Sequence, residues 1–186
     1  MDNLPEELKE QIDAPIGKEN LKVLRRVKKP EIKDGDIFVC SINGEVFYYG
    51  KVLQANIVFK KNVEWRDENS HLIFIFRTKT AKKDLSNFFP NYNQLLVGPK
   101  IITDGYWRLG YFETIGNIPL TAEEKSLDYG FFNSDVIGPG GVFVKADGEE
   151  INNFPKYFSI YGTAVYAGIY MSIRTETILD PTLLTI

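Results

Sequence analysis

Apolar residues change their spacing near residue 36. The change divides the chain into a helical N-terminal appendage, 1–34, and a single β-rich domain, 35–186. In the appendage, Leu4, Leu8 and Ile12 fall on one helical face. Asn3, Pro5 and Glu6 supply a cap, a proline and an acid at the start of that helix. Pro15 and Gly17 break it. The stretch KENLKVLRRVKK then predicts a second short amphipathic helix through Leu21, Leu24 and Val27. Pro30 ends it, because the residue before a proline is pushed out of helical geometry.

From Asp36 the period is that of strands. DIFVCSINGEVFYYGKVL predicts a hairpin in which Ile37–Ile42 and Glu45–Leu53 flank Asn43-Gly44, a pair suited to a two-residue type I′ turn. Gly50 marks a bulge or a bend in the second strand. Residues 56–59 and 71–78 read as strands, the latter apolar on both faces as a central strand would be. Residues 80–96 open as a short helix with Thr80 as its cap and Pro90 as its end. KIITDGYWRLGYFETIG returns to β structure with a turn at Asp104-Gly105. In an extended YWRLGYF, Trp107, Leu109 and Tyr111 share one face; Tyr106, Arg108, Gly110 and Phe112 share the other. DYGFFN, GVFVKADGEEI and KYFSIY add short strands, with a hairpin turn at Asp147-Gly148. The segment 163–179 carries both periods and is read as a helix ended by Pro181, a strand being the alternative. The fold class expected is α+β and mainly antiparallel β: a twisted sheet or partly open barrel with peripheral helices.

Composition sharpens this. With 44% apolar and 13% aromatic residues among 186, the chain can bury a core without disulfide or metal staples. The lone Cys40 points to a reducing, cytoplasmic setting. No run reaches the roughly 18 apolar residues of a membrane span, and the acidic start lacks the apolar core of a secretory signal. The net charge of −3 is unevenly spread: residues 1–103 sum to +3 and residues 104–186 to −6. Most of the deficit lies in Glu113, Glu123, Glu124, Asp128, Asp135, Asp147, Glu149 and Glu150. Such a segment can steer a basic partner and argues against nucleic acid as its ligand, although a solvated loop region is the plainer account.

Catalytic chemistry finds little support. One Cys and one His cannot supply a metal set, and no cofactor motif is present. A Cys40/His71 pair is conceivable, but Cys40 sits mid-strand, where a small thiol is ordinary packing, and His71 reads as a surface or turn residue. Glu123 and Glu124 follow Thr121 in a capping box, which explains them as a helix start. GPGG (138–141) lacks the lysine of a phosphate loop, and RRVKK (25–29) reads as a solvated face. Aromatic and arginine side chains next to turns are left as anchors for a partner: Tyr106, Arg108, Tyr129 and Phe131.

Gly35, Asp36, Ile37 and Phe38, with Gly50, Lys51, Val52 and Leu53, form a G-D-I-F strand leading into a G-K-V-L strand. Trp107 later precedes Ile115, Gly116, Asn117, Pro119 and Leu120. Together these resemble the immunity protein 26 family of bacterial polymorphic toxin systems, over residues 33–145. The resemblance implies a cytoplasmic antidote without catalytic residues that binds a cognate toxin domain. If that toxin is a nuclease, its phosphate site is basic and the acidic segment is a fitting plug. On this reading Glu113, Glu123, Glu124, Asp128, Asp147, Glu149 and Glu150 steer the partner. The alternatives are a small-molecule or peptide-binding β-barrel with an aromatic-lined pocket, and a Cys40-dependent enzyme.

Overall fold

Strand β1 (Asp36–Cys40) is buried along its whole length, and the architecture explains why. The computed structural model describes residues 5–13, 19–60, 69–86, 88–134 and 141–186. In it β1 belongs to a five-stranded antiparallel sheet with β2 (Phe47–Gln54), β3 (Ser70–Thr80), β4 (Leu95–Thr103) and β5 (Glu113–Asn117), in the order β4-β3-β2-β1-β5. Alternate side chains serve two cores. Phe38, Cys40, Tyr48, Val52, Ile73 and Ile75 pack under helix α4 (Tyr166–Leu179) through Ile169, Tyr170 and Ile173. Ile37, Val39, Tyr49, Phe74 and Phe76 face the other way. There they meet Phe131 and Val144 of a second sheet, β8-β7-β6-β9. Its strands are β6 (Tyr129–Asn133), β7 (Val142–Val144), β8 (Glu150–Ile151) and β9 (Tyr157–Ile160), with β9 parallel to β6. The first sheet therefore lies between a helical layer and a second sheet, and the two sheets do not close into a barrel.

The α+β class holds, as do the interior position of β3, paired on both edges, the turn at Asp147-Gly148 and the C-terminal helix. Gly148 takes φ 88° in that turn. Gly50 is the expected irregularity: the β2–β3 register shifts beside it. A Cβ there would lie 2.1 Å from Phe38 Cζ, in a ring stacked on Phe112 at 4.2 Å.

Other expectations fail for identifiable reasons. Residues 19–29 form no second helix. They run as an irregular strap whose N–H groups serve other segments: Lys22 donates to the Ser41 carbonyl at 2.9 Å, Leu24 to Gly110 at 2.7 Å and Val27 to Trp107 at 3.1 Å. The first helix, α1 (Glu6–Asp13), is present; its cap Asn3 and the breakers Pro15 and Gly17 lie outside the described residues, as do Trp65, Asp135 and 138–140 of GPGG. The first hairpin forms, but its connection spans 41–46 and is no two-residue turn. Gly44 alone takes a positive φ there, and Asn43 Oδ1 folds back to accept from the N–H groups of Glu45 and Val46, both at 3.0 Å. Residues 56–59 form no strand, and Thr80 ends β3 while residues 81–86 bend instead of coiling. Thr80 Oγ1 both accepts from the Lys82 N–H and donates to its carbonyl, closing a local turn that competes with a helix.

YWRLGYF is not extended either. Asp104 opens a single helical turn, α2 (Gly105–Arg108), which delivers both Tyr106 and Trp107 to the core at 1% exposure. Adjacent residues of a helical turn can enter one corner together, whereas a strand would split them between faces. Among the described residues no helix is long and apolar enough to cross a membrane.

Candidate interaction surface

The residues singled out in the sequence divide sharply by burial. Tyr106 donates its hydroxyl to the Ala164 carbonyl at 3.1 Å, with its ring against Phe112 and Tyr166, so it belongs to the core. Phe131 is buried between the sheets, and Tyr129 is half-buried beneath the Lys145 ammonium, 4.4 Å from its ring centroid. Arg108 is exposed and pairs with Asp104 at 3.3 Å.

The acidic segment does not stand free as a block, because the basic half of the chain folds onto part of it. Lys83 pairs with Glu113 at 2.6 Å, and Lys60 bridges Asp147 at 3.1 Å and Glu149. Lys51 reaches both oxygens of Glu124, at 2.8 and 2.7 Å, with its own side chain fully buried. The charge asymmetry of the sequence is thus partly internal complementarity. Glu123, Asp128 and Glu150 remain exposed, as does Glu149 within its pair with Lys60.

Glu124 is a structural residue. A small helix, α3 (Ala122–Lys125), starts with the predicted capping box: Thr121 Oγ1 accepts from the Glu124 N–H, and Glu124 Oε2 accepts from the Thr121 N–H at 3.0 Å. Tyr92 adds a hydroxyl to Oε1 at 2.8 Å. Burial works to raise the Glu124 pKa. The bonds from Lys51, the Thr121 N–H and Tyr92 outweigh it and hold the carboxyl below its ordinary range.

The possible chemistry at Cys40 and His71 is also closed off. Burial pushes the Cys40 thiol well up, which keeps it protonated and inert. His71 is no surface residue: it is 1% exposed, its Nδ1 accepts from the Asn56 N–H at 3.2 Å, and its ring meets Trp107 edge-on. Among the described residues no cluster of three or more His, Cys, Asp or Glu can hold a metal ion.

The second sheet carries what the sequence did not announce. Its register pairs Phe132 with Phe143 and with Ile160, Phe143 with Ile151, and Gly130 with Phe158. Directly paired residues share a face, so Phe132, Phe143, Ile151, Phe158 and Ile160 all lie on the side away from the first sheet. Phe154, from the β8–β9 connection, folds over them. Its ring lies 5.0 Å from both Phe143 and Phe158, and Phe143 lies 5.6 Å from Phe132. Phe154, Phe158 and Ile160 are 70%, 51% and 68% exposed. Contiguous apolar rings in water mark an interaction surface more specifically than scattered exposed residues do.

The motif residues, by contrast, are consumed within the fold. Asn117 Nδ2 donates to Asp36 Oδ1 at 2.7 Å and to the Asp34 carbonyl at 3.0 Å, joining β5 to the start of β1. Gly35 takes φ 84°, and a Cβ on it would meet the Ile118 carbonyl at 2.5 Å. Trp107 Nε1 donates to Thr114 Oγ1 at 2.9 Å. These residues build the framework, and most of the exposed aromatic face lies C-terminal to them. Comparison with known proteins agrees with the motif. A model of the immunity protein 26 family matches residues 33–140, more than half of the chain. No curated protein and no solved structure gives a match.

Proposed function

Since the chain belongs to the immunity protein 26 family, and membership implies toxin neutralisation, we propose that it silences a cognate toxin domain by docking the outer face of its second sheet and covering the toxin's active site or an essential neighbouring surface. The observation that supports this is the cluster of Phe132, Phe143, Phe154 and Phe158, aromatic anchors held in place by their strands and by one another. A surface rigid before it binds loses little freedom on binding, which favours tight inhibition. Members of such a family are typically non-catalytic inhibitors, and the sealed Cys40 suits that role. The inhibitor works in the cytoplasm of the producing cell.

Glu123, Asp128, Glu149 and Glu150 add long-range attraction for a basic toxin, a nuclease being the type whose phosphate site such charges oppose. Co-expression with its cognate toxin domain tests the reading: cells survive and the two chains co-purify. Survival without co-purification would contradict it. Neutralising the four carboxylates together, as Gln or Asn, is expected to slow association about tenfold at low salt and to flatten its salt dependence, leaving dissociation nearly unchanged. Stopped-flow association across a salt series checks this, and an unchanged slope removes the steering role.

A further inference from the structure

Beyond the end of β3, Phe88, Phe89, Pro90 and Tyr92 pass in front of α3 and leave a cleft of about 360 Å³. That volume lies within the range of roughly 300–1,000 Å³ found for ligand sites. Its inner wall is firm: Phe88 is 4% exposed and stacked on Tyr49 at 4.7 Å. Phe89 stands at the mouth, 85% exposed. The floor is the Lys51–Glu124 pair, which neutralises itself. Each Glu124 oxygen already accepts two bonds, one from Lys51 and one from either Tyr92 or the Thr121 N–H.

The charge balance then falls to the rim. Glu123 lines the cleft, is exposed, and has no Lys or Arg partner among the described residues. The cleft thus carries one net negative charge beside three aromatic rings. Ring faces and a carboxylate both attract a cation. An anion would be repelled by Glu123, and a purely apolar group would strip water from it without compensation.

We propose that this cleft is a socket for an arginine or lysine side chain of the toxin, a statement that rests on the toxin-binding reading above. The aliphatic stem lies along Phe88, Pro90 and Ile118, as long basic side chains bury their stems while the head stays polar. The head group meets Glu123 and the Phe89 ring.

The test uses the full chain and small probes. Nα-acetyl-arginine amide and neutral Nα-acetyl-norleucine amide are titrated while the ring signals of Phe88, Phe89 and Tyr92 are followed by NMR. The arginine probe is expected to shift them saturably and to bind about tenfold more tightly than the neutral one. Glu123→Gln is expected to weaken the arginine probe about threefold to tenfold, and Phe89→Ala by a similar factor; both positions are exposed, so the fold is retained. Equal affinity for both probes, unmoved ring signals, or indifference to Glu123→Gln overturns the socket. If the probes fail while the toxin domain still co-purifies, only the socket is lost. If co-purification fails, the underlying reading goes with it.

Discussion

Glu124→Ala is expected to destabilise the protein by about 3–5 kcal/mol, because it leaves the fully buried Lys51 ammonium without its counter-charge. Urea denaturation followed by tryptophan fluorescence reads the loss as a lower midpoint at an unchanged slope. The double variant Lys51→Met with Glu124→Leu is expected to recover the part due to the unpaired ammonium, since an apolar pair of similar volume carries no desolvation cost, but not the part due to the Thr121 N–H and Tyr92 hydroxyl, which lose their acceptor in both variants. The same pair sets an acid limit. The folded Glu124 carboxyl lies below its ordinary pKa, so its stabilising contribution is complete above the unfolded value of about 4.3 and is lost as pH falls through the folded value. Wild-type stability is therefore expected to drop below about pH 4. In the double variant this component of the drop is absent.

Phe154→Ser with Phe158→Ser is expected to weaken capture of the toxin domain by about a hundredfold or more, since buried aromatic anchors at interfaces are each worth roughly 2 kcal/mol or more. Both rings stand largely in water in the free chain, so the urea midpoint should hardly move. Val58→Ser with Leu179→Ser supplies the control: both residues are exposed and apolar, and neither belongs to the second sheet. Biolayer interferometry on all variants separates the outcomes. Equal losses in both doubles would mean that general surface hydrophobicity, and not this face, drives binding.

Strand β9 shows why this face was hidden in the sequence. In KYFSIY, alternation alone would bury Phe158 and Ile160 and expose Ser159. The fold does the reverse: Tyr157 turns inward against Phe74, Ser159 meets Lys100, and Phe158 and Ile160 face solvent. Polarity predicts the inward side only when a strand has one dry face and no partner for the other. Strand β6 carries the same ambiguity. Phe131 and Phe132 are consecutive, and one register step decides which is core and which is surface. What was legible rests on local chemistry. The Thr121–Glu124 capping box and the Asp147-Gly148 turn are set by nearest neighbours and survive into the fold, while the helix before Pro181 is one of the two readings its spacing allowed. What was not legible depends on distant partners. The strap at 19–29 has helical spacing, yet its N–H groups are claimed by Ser41, Trp107 and Gly110. Glu124 was recognisable as a cap, but its burial depends on Lys51, some seventy residues earlier in the chain.

The central claim is that the toxin sits on the outer face of the second sheet. Isotope-edited NMR of the phenylalanine rings, recorded as the unlabelled toxin domain is added, tests it most directly. Ring signals of Phe132, Phe143, Phe154 and Phe158 should shift or broaden on complex formation, with cross-saturation from the toxin reaching Phe154 and Phe158 most strongly. Formation of a stable complex with those four rings unmoved and no saturation transferred to them would contradict the account.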